Sequence, residues 1–497
     1  MTRPNILFLI WDSARFDYVM EHAPTFSQLA SDNLSFTNAI APATWSLPSH
    51  TSLFTGTLPH THGTYHLNHS VSELTIGSEL EKKTYQRFAV SGNGFFSIRY
   101  GFETAFDEFY YSRERFQPFG SGLPARSRAY HMRRQGYSKP DIFFDLLKSS
   151  FKHENTIGSL ANLGDLLRTE LHNLMAAHTS ISARPSEYSA KRNTQKLLEI
   201  LQRAQGSDRP WFIVANYMDC HRPYDPPAEF RKKHLDDDIS PSEFDRLTEK
   251  LMPPWKFIEA VDSGEEISET DLRMIRQLYA AEVERVDTHL KQLLTELEAN
   301  SMRDNTLIIV TADHGENLGE QDSFGRRRMG HESSVSDQLL HVPLLIAHPD
   351  LSAQTVDQRM SIRALHDLII RLDSGKLQSD DVLSTLLPDP GTPILAEYPI
   401  VGGEEIREKY PKASEESLAD RLSRHTVVGY LDDWKLVASS GGDRHAWRAG
   451  APKNVREAPD IVRNYVEGAL EKLTQQHPPT SGVTAQKQEE LEALGYL

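Results

Sequence analysis

Four short apolar runs along the chain each stop on polar residues able to do chemistry. Asn5 to Ile10 leads through Trp11 to Asp12, and Phe88 to Val90 leads to Ser91, Gly92 and Asn93. Trp211 to Ala215 leads to Asp219, Cys220 and His221, and Thr306 to Thr311 leads to Asp313 and His314. Continuous apolar runs of this length predict strands buried on both faces of a sheet. If the strands are parallel, their polar ends converge on one edge, where open α/β sheets place their chemistry. Between the runs the period becomes helical. Leu272, Ile275, Leu278, Tyr279, Val283, Val286, Leu290, Leu293, Leu294 and Leu297 form a core-facing stripe, with Thr270 as a candidate cap. Leu339 to Ile346 predicts a further strand, and Pro343 places it near an edge or a bulge.

The pattern changes twice. Between residues 110 and 185, Arg113, Arg115, Arg126, Arg128, Arg133, Arg134 and Lys139 meet few acids. This reads as an insertion with a solvated basic face, or one that shapes a pocket or recruits anions. Beyond about residue 380, Pro393 to Tyr398, Thr426 to Leu431 and Trp434 to Val437 predict a small antiparallel sheet. Glu489 to Leu497 predicts a terminal helix. The expected organisation is a large domain over 1–380, carrying the insertion, and a smaller subdomain over 381–497. The expected fold class is α/β: a large mixed, mostly parallel sheet between helices, then the small antiparallel sheet.

Composition narrows the class. With 38% hydrophobic and 25% charged residues, the chain is ordinary globular protein. A net charge of −16 argues against a general nucleic-acid partner. It leaves an anionic substrate open, because a bound cation reverses the local sign. Cys220 is the single cysteine, so neither an internal disulfide nor a cysteine-based zinc cluster can form. The run Ile6 to Trp11 is too short to span a membrane and lacks a cleavage site, so a cytoplasmic protein with no membrane partner is expected.

Asp313 and His314 pair a hard oxygen with an imidazole nitrogen, both ligands for a divalent cation. The same residues also suit a plain turn. In Trp45 to Gly56, Pro48 fits the first turn of a helix and Gly56 its C-terminal cap. Ser46 then falls just before the helix. It is either a simple N-cap or a hydroxyl set where free N–H groups favour an anion.

Ser46-Leu47-Pro48-Ser49-His50, followed by Leu53, Thr55 and Gly56, resembles the signature of the sulfatases, within the alkaline phosphatase superfamily. That signature is Cys or Ser, x-Pro-Ser-Arg, then Leu-x-Thr-Gly. Asn5 to Asp12 resembles the family's opening strand, and Met218 to Pro227 its His-x-Pro-Tyr segment. Asp313 to Glu316 resembles its second metal motif, and Gly330-His331 with Val342-Pro343 a later segment. Leu494-Gly495-Tyr496 resembles a frequent ending. The matches run in order along nearly the whole chain.

The resemblance implies an alkaline-phosphatase-like fold. It also implies one divalent cation, calcium, held by Asp12, Asp313 and His314 and completed by the oxygen of residue 46. His221 and His331 would bind the transferred group or protonate the leaving oxygen. His50 stands where the signature has arginine and is carried as a catalytic candidate. Asn93 stands where lysine is expected and is carried as substrate-binding. Ser13 follows Asp12 where the family pairs two acids. Some of His60, His62, His66 and His69 around Asn68 would line the pocket, or they form a surface loop.

In the family, residue 46 is oxidised to formylglycine by a maturase. The implied reaction is hydrolysis of a small-molecule or glycan sulfate ester. The alternative is a phosphodiesterase, phosphonate monoester hydrolase or phosphotransferase that uses Ser46 directly with Mn2+, Mg2+ or Zn2+. In that reading Asp219, His221 and His331 form a second metal site. A third reading is a non-catalytic protein that keeps the fold.

Overall fold

Each residue from Ile6 to Ile10, from Phe212 to Ala215 and from Leu307 to Val310 is completely buried. Such runs have no face to offer water, and each large aliphatic side chain contributes roughly 1.5–3 kcal/mol by leaving it. They lie inside a nine-stranded sheet. Its strands are β1 (Asn5–Trp11), β2 (Leu34–Ile40), β3 (Gln86–Ser91), β4 (Glu108–Tyr111), β5 (Trp211–Tyr217) and β6 (Thr306–Thr311), then β9 (His341–Ala347), β10 (Gln354–Val356) and β11 (Met360–Ser361). Between these, β7 (Asn317–Gln321) and β8 (Arg327–Gly330) form a separate antiparallel pair. The large sheet runs β10-β2-β9-β6-β1-β5-β3-β4, with β11 also on β2.

The computed structural model describes residues 3–66, 69–71, 74–112, 125, 128, 132, 137–153, 155–164, 166–167, 190–236, 239–252, 254–321, 327–331, 334–372, 377–400 and 424–476. The chain forms two compact units, one of residues between 3 and 110 and between 190 and 476, the other of residues between 111 and 167. Asn68, Arg113, Arg115, Arg126, Arg133, Arg134 and the helix predicted over Glu489 to Leu497, with its Leu494, Gly495 and Tyr496, lie outside the described residues.

The four runs with polar ends are indeed parallel: β1 pairs with β5 and β6, and β5 with β3. β9 is antiparallel to both neighbours, which makes the sheet mixed. It is also interior, so Pro343 does not mark an edge. Pro343 instead lies where the register with β2 shifts between Phe36 and Ala39, and at such a bulge a ladder N–H is dispensable. Its carbonyl accepts from Thr311 Oγ1 at 2.7 Å.

The second sheet has five antiparallel strands in chain order. They are β12 (Ile394–Tyr398), β13 (Thr426–Leu431), β14 (Trp434–Ser439), β15 (Arg444–Arg448) and β16 (Ala451–Lys453). Ala43 makes a parallel bridge to Glu397 of β12, which ties this sheet to the segment just before Ser46.

Five helices matter below: α1 (Ser46–Thr55), α2 (Lys139–Lys152), α3 (Ala190–Ala204), α4 (Glu269–Ala299) and α5 (Asp460–Gln475). The predicted stripe on α4 is buried except for Leu294, which is half-buried. Its cap is Ser268, not Thr270; Ser268 Oγ accepts from Asp271 N, because the helix starts one residue before Thr270. In the second unit, Ile142 and Leu146 of α2 meet Ala125 and Leu163 in a small core, and Arg128 pairs with Asp145 at 2.6 Å. Among the described residues no helix is long and apolar enough to cross a membrane.

Candidate active site and metal centre

The register of β1 on β6 sets Ile10 beside Thr311. Two residues later Asp12 and Asp313 leave adjacent strands, which are spaced by ~4.8 Å. Ser13 then turns into the left-handed region at φ 62, uncommon for a residue with a side chain. The turn brings Ser13 N to 3.2 Å from Asp313 Oδ1, which also accepts from His314 N at 3.0 Å. Tyr279 of α4 braces it, donating to Ser13 O at 2.7 Å and accepting from Arg15 N at 2.9 Å. Asp12, Asp313 and His314 therefore offer ligand atoms within 4.8 Å of one another, all buried.

Among the described residues no other group of three acids, histidines or cysteines meets that distance. Asp219, His221 and His331 do not form the second cation site considered above. Asp219 is paired instead with Arg285 of α4 at 3.2 Å, and Arg285 with Glu282 at 3.0 Å.

Helix α1 delivers Ser46. Its N-cap is Trp45, whose indole makes no capping bond, so Ser46 is the first helical residue rather than the cap. The Ser46 hydroxyl lies 3.3 Å from His314 Nε2. Ser49 Oγ donates to Asp313 O at 2.6 Å and pins the helix to the end of β6. Gly56 closes the helix at φ 70, as expected of a left-handed C-terminal cap.

The four histidines of the site share one orientation. Nδ1 of His314 lies 2.8 Å from Gly315 O, and that of His50 2.8 Å from Ser46 O. Nδ1 of His221 lies 2.7 Å from Arg222 O, and that of His331 3.0 Å from Glu316 Oε1. Carbonyl and carboxylate oxygens only accept, so each Nδ1 carries a proton, and Nε2 presents the lone pair whenever the ring is neutral. The rings of His314 and His331 lie 4.4 Å apart, and those of His331 and His221 5.1 Å apart.

Burial is the largest influence on His314 and opposes its charge. The carboxylates of Asp313 and Asp12 outweigh it and raise the imidazole above its ordinary value. His221 is pushed down to about 3, foremost by burial. Asp313 Oδ2 is buried and accepts no hydrogen bond, although His314 Nε2 lies 3.3 Å away and His50 Nδ1 3.4 Å away. A buried carboxylate oxygen without a donor, beside a second carboxylate and an imidazole lone pair, fits a divalent cation.

His50 and Asn93 are engaged around this group. His50 stacks on Phe96 with centroids 5.0 Å apart, and its Nε2 lies 3.2 Å from Asn216 Nδ2. Asn93 donates to Asp12 Oδ2, while its carbonyl accepts from Phe95 N and Phe96 N. Asn93 thus spends both ends of its amide on a ligand and on its own turn.

Asn216 and Glu316 escaped the sequence reading. Asn216 Nδ2 also donates to Asp12 Oδ2, at 3.2 Å. The signal was a polar residue closing the apolar run of β5, where an unpaired amide would be costly. Glu316 lay inside a recognised motif but carried no assigned role. The histidines near residue 62 are half-buried anchors rather than a surface loop. His60 N donates to Glu397 Oε2 at 2.9 Å, and His62 Nε2 lies 3.1 Å from Ser52 Oγ.

A family model described as Sulfatase matches residues 4–388. Iduronate 2-sulfatase of Homo sapiens is 27% identical over 373 residues, covering 70% of this chain and 60% of that protein. The chain therefore spans 60% of the length of that relative and of its Mus musculus counterpart. The multifunctional alkaline phosphatase superfamily protein PehA of Trinickia caryophylli is 23% identical over 378 residues, 70% of this chain and 68% of that one. The solved phosphonate monoester hydrolase SpPMH from Silicibacter pomeroyi shares the fold, with a TM-score of 0.60 at 18% identity over 97% of this chain and 98% of that one. With its motifs converging at one sheet edge and the family model covering most of its length, the chain belongs to the sulfatase family.

Proposed function

We propose that this chain is a metal-dependent sulfuric ester hydrolase acting on a small-molecule or glycan sulfate ester, with residue 46 as nucleophile. The observation that carries this reading is the convergence of Asp12, Asp313 and His314 beside the Ser46 hydroxyl. Asp12, Asp313, His314 and the residue 46 oxygen would hold the cation, calcium in our reading because the sulfatase resemblance implies it and three of the four ligands are oxygens. When bound, it would neutralise ester oxygens and lower the pKa of the attacking hydroxyl.

The chain's own residues do the rest. Ser49 and His50 fix the first turn of α1, so residue 46 stays aimed at His314. Asn93 and Asn216 hold Asp12 from behind. His221 and His331, their rings 5.1 Å apart beside His314, would bind the transferred group. His331, oriented by Glu316 Oε1 at 3.0 Å from its Nδ1, would be the proton donor to the leaving oxygen once its Nε2 is protonated. His221, held neutral, accepts.

A plain serine has one hydroxyl, whereas formylglycine hydrate has two, one to attack sulfur and one to expel sulfate. We therefore propose that a maturase oxidises Ser46. Mass spectrometry of the Ser46 peptide from the native host is expected to find it two hydrogens lighter. An unmodified serine in active enzyme would remove the formylglycine version. The phosphonate or phosphodiester reading draws support from Asn93, a neutral amide where the family expects lysine. Faster turnover of a phenyl phosphonate ester than of the matching phenyl sulfate would favour it.

A further inference from the structure

A cavity of about 370 Å³ opens at the far end of α1 from Ser46. Ten helical residues at 1.5 Å each put about 15 Å between the two sites. The volume is of the size that holds small ligands. Its ionisable lining is His60, Arg363, Tyr465 and Lys472, with no carboxylate, in a chain whose net charge is −16. Two carboxylates act on these cations without lining the cavity, Glu397 on Lys472 and Asp367 on Arg363, and each has a further partner. Glu397 accepts from His60 N at 2.9 Å and also contacts His60 Nδ1, and Asp367 Oδ1 lies 2.9 Å from His366 Nδ1.

Ser361 also lines the cavity. It is 5% exposed, and its Oγ makes no hydrogen bond. An unsatisfied buried hydroxyl is costly, and a ligand oxygen would recover that cost. Arg363 is fixed by donating Nη1 to Gly56 O at 2.8 Å. Burial lowers its pKa, a measure of how little water screens the guanidinium. Tyr465 sits 47% exposed at the rim and offers a flat apolar face.

We propose that this cavity is a second ligand site, which takes a monosaccharide-sized ring bearing one carboxylate or one sulfate. Arg363 and Lys472 pair with the anion, Ser361 Oγ donates to it, and Tyr465 covers the ring. The site does not depend on the reaction assigned to Ser46.

Isothermal titration of the full chain with glucuronate, glucose 6-sulfate and glucose tests it, in a Ser46→Ala background to prevent turnover. Saturable binding of either anion, but not of glucose, is expected; which anion binds tells carboxylate from sulfate. Lys472→Gln should weaken that binding at least tenfold, and in the wild-type background should leave turnover and melting temperature unchanged. Ser361→Ala should weaken it severalfold. Absence of saturable binding by both anions, equal binding of glucose, or unchanged affinity in both Lys472→Gln and Arg363→Gln would overturn the proposal. Binding that survives these two variants belongs to the Ser46 site.

Discussion

Asn216→Leu separates the support of the cation site from the stability of the fold. Asn216 Nδ2 lies 3.2 Å from Asp12 Oδ2 and 3.2 Å from His50 Nε2. Leucine has nearly the same shape but no N–H, so Asp12 loses one of two amide donors while Asn93 keeps the other. A hydrogen bond to a charged group contributes roughly 1.5–3 kcal/mol. At about 1.4 kcal/mol per factor of ten, the cation should bind ~10-fold to ~100-fold more weakly. The fold should not suffer in step. Asn216 Oδ1 is a buried acceptor without a partner, so its removal offsets the lost contacts. Asn193 of α3 still donates to Asn216 O at 2.7 Å and holds the strand. Calcium titration of chelator-stripped protein, beside urea unfolding in chelator, reads both quantities. Unchanged calcium affinity would refute the argument, and so would an affinity loss matched by an equal loss of apo stability.

Ser46→Ala should lower turnover at least ~10³-fold while leaving calcium affinity within about tenfold, read by initial rates and titration. Calcium at 100 times its dissociation constant should raise unfolding stability by about 2.7 kcal/mol; Asp313→Ala should abolish that increment in a thermal or urea melt. Gly315→Ala should cost about 3 kcal/mol in urea and abolish activity, because the new Cβ would lie 2.0 Å from Gln338 O. The backbone there cannot retreat, as Gly315 N donates to Leu339 O at 2.8 Å. His425 is 8% exposed, accepts at Nδ1 from Ile400 N, and is pushed down to about 4 by burial. Below the unfolded value of about 6.5 the unfolded chain takes up a proton that the folded one refuses, so stability falls as pH drops towards 4. The cost at pH 5 is about 2 kcal/mol, and His425→Gln should shrink the difference between urea melts at pH 7 and pH 5 by about that much.

The run of apolar residues before Asp12, and the matching run before Asp313, could be read along the chain because burial on both faces leaves no polar position in the strand. Their parallel pairing was only a condition in the sequence; the register of β1 on β5 and β6 supplies it, and with it the meeting of Asp12, Asp313, His314 and Ser46. Local chemistry also marked both ends of α1, through Pro48 and Gly56. What pattern could not supply was anything set by neighbours distant in sequence. Thr270 and Ser268 both suit a cap, and only the packing of α4 chose between them. Pro343 reads equally as an edge or a bulge residue, and only its neighbour β2 decides for the bulge. Nothing in the sequence tells what Asn93, Asn216 and Glu316 bond to. Their partners Asp12 and His331 come from other strands and turns, and a hydrogen bond exists only once those backbones are side by side.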